Sequence, residues 1–244
     1  HFLFGSEDEA NQLLKLIDAE KSDMLKCPFK VLNACMESYS KGGIYKSLID
    51  EMIAFLKEKI NVDEVDYISG GERRDWFFSL VIADILGKPH ISIFKDLKYT
   101  VTLKDNICDQ SIEGGNVLHI ADLITEASSY ERAWIPAIKG AGANLKHSLV
   151  VVDRKQGGTE LLEGNGINSF SMVEISKDFF TAVHLMGIIN KKQYQIINDY
   201  IDNPKDSMRR FMIEHPEFLE NSLASDEKTA QRARLCVEKN FYDL

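Results

Sequence analysis

The chain has 244 residues, 44% of them hydrophobic and 27% charged, with a formal net charge of −9 at pH 7. That supplies a core for one domain with appendages or for two small ones, and the acidic balance argues against a surface built to coat DNA or RNA. No apolar run approaches the roughly 18 residues that span a bilayer, and the four scattered cysteines lack a C-x-x-C pair, so a reduced, cytoplasmic protein with no membrane partner is expected.

No role is read into the opening "HFLFGSEDEA". From Tyr45 to Ile60 the apolar residues Tyr45, Leu48, Ile49, Met52, Ile53, Leu56 and Ile60 recur at helical spacing and predict an amphipathic helix. It closes an N-terminal helical region over 1–62. "VDYIS" (Val65–Ser69) predicts a strand, and "DWFFSLVIADILG" a strongly apolar helix whose Gly87 suits a left-handed cap. "HISIF" (His90–Phe94) alternates like a strand. The polar stretch from Lys95 to Asn116 carries at best a weak hairpin signal.

"VLHIA" resumes the strand pattern, a helix is expected over about Ser128–Ile138, and "HSLVVVD" and "FSMVEIS" predict two more strands. Strands alternating with helices define an α/β fold over 63–176, a mainly parallel sheet with helices on both faces and ligands at the carboxyl ends of its strands. From 177 to 244 the pattern is helical only. Ser176 is placed to cap the first helix, Pro204 breaks the second, Pro216 opens a short one, and Ser225-Asp226-Glu227 starts the last.

Four expected strand ends carry unusual residues. In "SGGERRDW" two glycines permit close backbone approach to an anion, and Arg73 and Arg74 add charge; the alternative is a surface turn in which these arginines pair with Glu72 and Asp75. Lys95 and Lys98 in "FKDLK" suit phosphate oxygens or simple solvation. In "VLHIADLITEASSYERA" Asp122 suits sugar hydroxyls and the turn Thr125–Ser129 suits a phosphate, or else Thr125 or Ser128 merely caps the helix. Arg154 in "VVVDRKQGG" either grips a carboxylate or pairs with Asp153 or Glu160.

In this order, from about Asp63 to Ser176, the segments "ISGGERRDWFFSLVIADILGKP", "ISIFKDLK", "GGNVLHIADLITEASS" and "SLVVVDRKQGGTELLEGNGI" resemble the type I phosphoribosyltransferases, most closely the orotate phosphoribosyltransferases. The resemblance covers about half the chain. It implies transfer of phosphoribosyl from phosphoribosyl pyrophosphate (PRPP) to a base such as orotate, with Mg²⁺ and release of pyrophosphate, by a homodimer.

By position it implies that Arg73, Arg74, Lys95 and Lys98 meet pyrophosphate, Lys98 lying where the family's catalytic loop begins. It further implies that Asp122 holds the ribose as a catalytic residue, that Leu123, Ile124, Thr125, Glu126, Ala127, Ser128 and Ser129 form the PRPP motif, and that Thr125 and Arg154 meet the base. No protein ligand to the metal is indicated. Ala121 replaces the first of the family's two acids, and Glu126 and Ala127 stand where Thr or Ala and Gly are usual. These replacements keep a second reading open, a catalytically weak or inactive regulatory protein that binds PRPP or a nucleotide on the same fold.

Overall fold

The computed structural model describes residues 7–104, 106–109 and 111–243; His1–Ser6, part of the opening stretch, lie outside them. The chain divides into two compact units, His1–Glu174 and Ile175–Leu244.

The first unit opens with helices α1 (Glu7–Glu20), α2 (Cys27–Ser40) and α3 (Gly43–Lys59). Its sheet contains β1 (Tyr67–Gly71), β2 (His90–Ile93), β3 (Tyr99–Leu103), β4 (Asn106–Ile107), β5 (Asn116–Ile124), β6 (Asn144–Asp153) and β7 (Asn168–Glu174). The spatial order is β4-β3-β2-β1-β5-β6-β7. The pairs from β2 through β1, β5 and β6 to β7 are parallel, and β3 and β4 join antiparallel at one edge.

Every residue of β1 is buried, the unbroken pattern of a strand covered on both faces. On one face α4 (Trp76–Leu86) lies under α1–α3, joining Ile17, Val31, Tyr45, Ile49 and Met52 to Ile68, Leu118 and Ile120 of the sheet. Sandwiched in this way, α4 is buried on all sides over its first two turns, where Ser79 is the one polar residue. Its Gly87, at φ 66°, closes it with bonds to Ala83 and Asp84 carbonyls. On the other face α5 (Ile135–Gly140) and α6 (Gly158–Gly164), with Trp134 just before α5, bring Trp134, Ile138 and Leu162 against Val117, Ala121 and Val150.

Three local expectations change. The polar stretch after Lys95 contains the hairpin strand β3, whose Thr100 and Thr102 are buried despite their hydroxyls. β5 runs past the expected "VLHIA" because Leu123 and Ile124 pair with Val152 and Asp153, so Asp122 lies inside the strand. The helix expected from Ser128 starts as a π-helical turn (Tyr130–Trp134) before α5, where Pro136 has no N–H to give to the preceding turn.

The second unit contains α7 (Lys177–Leu185), α8 (Lys191–Asp202), α9 (Pro204–Glu214), α10 (Pro216–Leu223) and α11 (Glu227–Glu238). Ser176 caps α7 by accepting the Phe179 N–H at 3.2 Å. Pro204 and Pro216 occupy the first positions of α9 and α10. The cap of α11 is Asp226 rather than Ser225: its Oδ1 accepts the Thr229 N–H at 3.2 Å.

Candidate functional site

The chain leaves β1 through α4 to β2 on one side, and leaves β5 through α5 to β6 on the other. The crevice at the carboxyl ends of β1 and β5 is therefore the sheet's switch point, where α/β sheets hold ligands. The β1–β5 ladder stops at Ser69–His119, and the strands diverge beyond it.

The loop after β1 is tied on all sides. The Arg73 guanidinium pairs with Asp18 of α1. The Glu72 N–H donates to the Ile93 carbonyl at 2.7 Å, and its carboxylate accepts the Lys95 N–H at 3.2 Å. Arg74 Nε lies 3.3 Å from Asp122 Oδ2. The glycines make room for packing. A Cβ on Gly70 would stand 2.1 Å from Ser79 Oγ, and one on Gly71 would stand 2.1 Å from the Trp134 ring.

Lys95 and Lys98 flank the turn closing the β2–β3 hairpin, where the Phe94 N–H meets the Lys98 carbonyl at 2.8 Å. Both side chains are exposed; Lys95 Nζ lies 3.9 Å from Glu72, and Lys98 Nζ 2.9 Å from Asp96. Beyond Lys98 the chain enters β3 directly.

At the end of β5, Thr125 is half-buried, and Glu126, Ser128 and Ser129 are exposed. Among the described residues the N–H groups of Thr125 through Ser129 have no hydrogen-bond partner. Ala127 takes φ 55°, the left-handed conformation that glycine enters without a steric cost, and it holds that geometry with its methyl buried among Tyr130 and Trp134. Gly158 supports this loop from α6: an added Cβ would stand 2.5 Å from the Thr125 carbonyl oxygen and from the Ile124 side chain. Gly158→Ala is expected to cost about 1–3 kcal/mol through overpacking, read as a lowered denaturation midpoint.

On β6 the buried Asp153 accepts the Lys155 N–H at 2.6 Å and the Thr159 hydroxyl at 2.8 Å. Arg154 therefore has no ion pair with it or with Glu160, nor with any other acid among the described residues. The Arg154 N–H donates to the Ile124 carbonyl at 3.0 Å, holding it at the end of β5.

Of the residues singled out in the sequence, the structure brings Arg74 and Asp122 into contact and sets Arg154 beside Ile124. Arg73, Lys95 and Lys98 are each engaged with an acid of their own neighbourhood.

Two residues are not legible as site residues in the sequence. Asp75 is 8% exposed; its Oδ2 accepts the Gly71 N–H at 3.1 Å and its Oδ1 the Asp122 N–H at 3.1 Å. His119 is fully buried, with Nδ1 2.9 Å from Ser69 Oγ and Nε2 3.7 Å from Asp75 Oδ2. The available signal was a histidine inside a buried strand and an acid following two arginines. Burial, and then the Asp75 charge, push the Asp122 carboxyl up to about 6; Arg74 and the Leu123 N–H pull the other way.

The Mg²⁺ implied by the resemblance finds no cage here. Among the described residues no group of three or more His, Cys, Asp or Glu is arranged to hold a metal, and both Asp75 oxygens are engaged by backbone N–H groups. Nor is any helix among them long and apolar enough to cross a membrane.

The mainly parallel sheet with this switch point is the type I phosphoribosyltransferase fold, and a solved structure superposes on it. UMP synthase of Leishmania donovani superposes with a TM-score of 0.50 at 19% identity, over 64% of this chain and 32% of that one. In sequence, an orotate phosphoribosyltransferase of Sulfolobus acidocaldarius is 27% identical over 124 residues, 51% of this chain and 61% of that protein. An adenine phosphoribosyltransferase of Actinobacillus pleuropneumoniae is 27% identical over 146 residues, 54% of this chain and 79% of that one. The chain thus spans about three fifths of the first of these relatives and about a third of the UMP synthase. No protein-family model matches the chain.

Proposed function

We propose that this chain is a phosphoribosyltransferase that binds PRPP and passes its phosphoribosyl group to a nitrogen base, orotate being favoured. The observation that carries this reading is the Thr125–Ser129 turn, whose N–H groups have no partner among the described residues and follow Asp122 at the switch point of the sheet. Amide N–H groups offered at such a turn suit a phosphate. Asp122 holds the ribose hydroxyls, and Arg74 supplies positive charge next to it. As the bond from the anomeric carbon to pyrophosphate breaks, the base nitrogen forms its bond to that carbon and loses its proton. Fixed groups contribute by positioning the partners and neutralising the departing charge. Arg154, without an acidic partner among the described residues, favours a base that carries a carboxylate.

A second reading, binding without turnover, is supported by particular contacts. The N–H groups of Gly71 and Glu72 are already engaged, Arg73 is held by Asp18, and Ala121 leaves one acid where two are usual. Incubation with Mg²⁺, PRPP and either orotate or adenine separates the two. Loss of orotate absorbance is the expected outcome, and nucleotide formed from adenine alone would redirect the base assignment. Thermal stabilisation by PRPP without turnover would support the second reading. Neither turnover nor stabilisation would overturn both.

A further inference from the structure

We propose that Asp75 is a positioning residue that couples the two halves of the phosphoribosyl site, one carboxylate oxygen holding the Gly71 amide of β1 and the other the Asp122 amide of β5. The inference rests on the phosphoribosyl-binding reading above and deepens it. The sheet itself does not make this connection. The β1–β5 ladder ends at Ser69–His119, while β1 continues with β2 to Gly71–Ile93 and β5 continues with β6 to Ile124–Asp153. Past His119 the strands carrying the two halves of the site belong to different ladders. Asp75 bridges that gap with hydrogen bonds of 3.1 Å to each side.

Two N–H donors on two strands require two acceptors. An amide side chain offers one, and its NH₂ would face the other donor. The carboxylate brings a disadvantage that a purely structural bridge would avoid. It is a buried negative group beside a second acid, Asp122, and like charges in partly desolvated surroundings repel. What the position achieves is coupling: the loop that carries Arg73 and Arg74 and the strand segment that carries Asp122 are held in one register. Arg74 then reaches Asp122 Oδ2 at 3.3 Å. His119 backs the carboxylate from the opposite side. It is fixed by Ser69 and by the Tyr130 and Trp134 rings, and its Nε2, 3.7 Å from Asp75 Oδ2, is buried with no hydrogen-bond partner among the described residues.

The full chain carrying Asp75→Asn or Asp75→Glu tests this in two arms. In the first, without ligand, amide hydrogen exchange is followed at Gly71 and Asp122, with Ile68 and Leu118 as controls within the same strands. Asp75→Asn is expected to accelerate the first pair roughly tenfold or more, the loss of charge-assisted bonds, and to leave the controls unchanged. Asp75→Glu, which keeps two acceptor oxygens, is expected to fall between wild type and Asp75→Asn, and carries the comparison if the asparagine variant does not fold.

In the second arm, calorimetry compares PRPP, which spans both halves, with ribose 5-phosphate, which lacks the pyrophosphate. PRPP affinity is expected to fall roughly ten- to a hundredfold, and ribose 5-phosphate affinity much less. The pH dependence of PRPP binding supplies a readout that a merely structural role would not move. Asp122 is faced by Arg74 and Asp75 from the β1–α4 loop, by the Leu123 N–H on its own strand and by the Tyr130 hydroxyl from the π-helical turn. With Asp75 neutralised, its acid limb is expected at lower pH.

Unchanged exchange at Gly71 and Asp122 would overturn the coupling. So would an equal loss of both ligands with an unmoved pH profile, which is the signature of general destabilisation. A wild type that binds neither ligand would instead overturn the functional reading and the positioning role with it. A wild type that binds PRPP and a variant that binds it equally well would overturn the positioning role alone.

Discussion

Trp76→Ala is expected to lower the stability of the chain by about 3–5 kcal/mol, the largest effect of any single truncation near the site. Trp76 is fully buried and packs edge-on against Phe94 with ring centroids 5.1 Å apart. Its Nε1–H donates to the Gly70 carbonyl at 2.9 Å. Truncation therefore opens a cavity between α4 and the sheet and removes a partner from a buried carbonyl. Against a total stability of about 5–15 kcal/mol for a native domain, such a loss shows plainly in a denaturant titration. Trp76→Phe keeps most of the ring volume and removes the N–H, so about 1–2 kcal/mol is expected from the lost bond. A Trp76→Ala midpoint equal to that of wild type would mean that α4 is not locked to the end of β1 through this residue. Because Gly70 adjoins Gly71, whose amide Asp75 holds, loosening Trp76 is also expected to weaken ligand binding at the crevice.

The second large effect has opposite signs for stability and for binding. The Asp122 carboxyl titrates near 6 in the folded chain, against an ordinary value of 3.8. Between those values the folded chain keeps a proton that the unfolded chain has released, so stability falls as pH rises from about 4 to about 6 and this contribution is flat above that. Each pKa unit corresponds to about 1.4 kcal/mol, so ionised Asp122 costs up to about 3 kcal/mol at neutral pH. Asp122→Asn removes that cost. It is expected to raise stability at neutral pH by up to about that amount, the opposing pull of Arg74 being already included, and to change stability little below about pH 4. The same substitution removes the acid assigned to the ribose hydroxyls, so PRPP stabilisation is expected to disappear. Denaturation curves at mildly acidic and neutral pH, each with and without PRPP, measure both effects. A variant that binds PRPP like wild type would remove Asp122 from the ribose assignment. One that is no more stable at neutral pH would show that its carboxyl is not held against burial and Asp75.

Much of the fold was legible because its signals are local. The short apolar segments within β1, β5 and β6, the helix from Trp76 capped by Gly87, Pro204 at the end of α8 and Pro216 at the start of α10 all act within a few residues. β3 was less legible. Its buried positions include Thr100 and Thr102, whose burial comes from pairing with β2 and not from hydrophobicity. The π-helical start of the helix after β5 likewise depends on Pro136 and on ring packing that no periodicity reports.

The candidate site divides along the same line. The residue types at four strand ends, and the replacements at Ala121, Glu126 and Ala127, are properties of the chain itself. The residue types carry the resemblance to the type I phosphoribosyltransferases because phosphate and sugar each favour particular side chains at the ends of particular strands. Which of those side chains are free is decided only in three dimensions. Arg73 meets Asp18, 55 residues upstream, Gly71 makes room for Trp134, and Asp75 joins strands whose ladder has already ended. Hydrogen bonds and charge pairs act over a few ångströms of space, irrespective of separation along the chain. The acid inventory belongs to the sequence, whereas the raised proton affinity of Asp122 and the bridging role of Asp75 exist only once folding has placed the two carboxylates side by side, away from water.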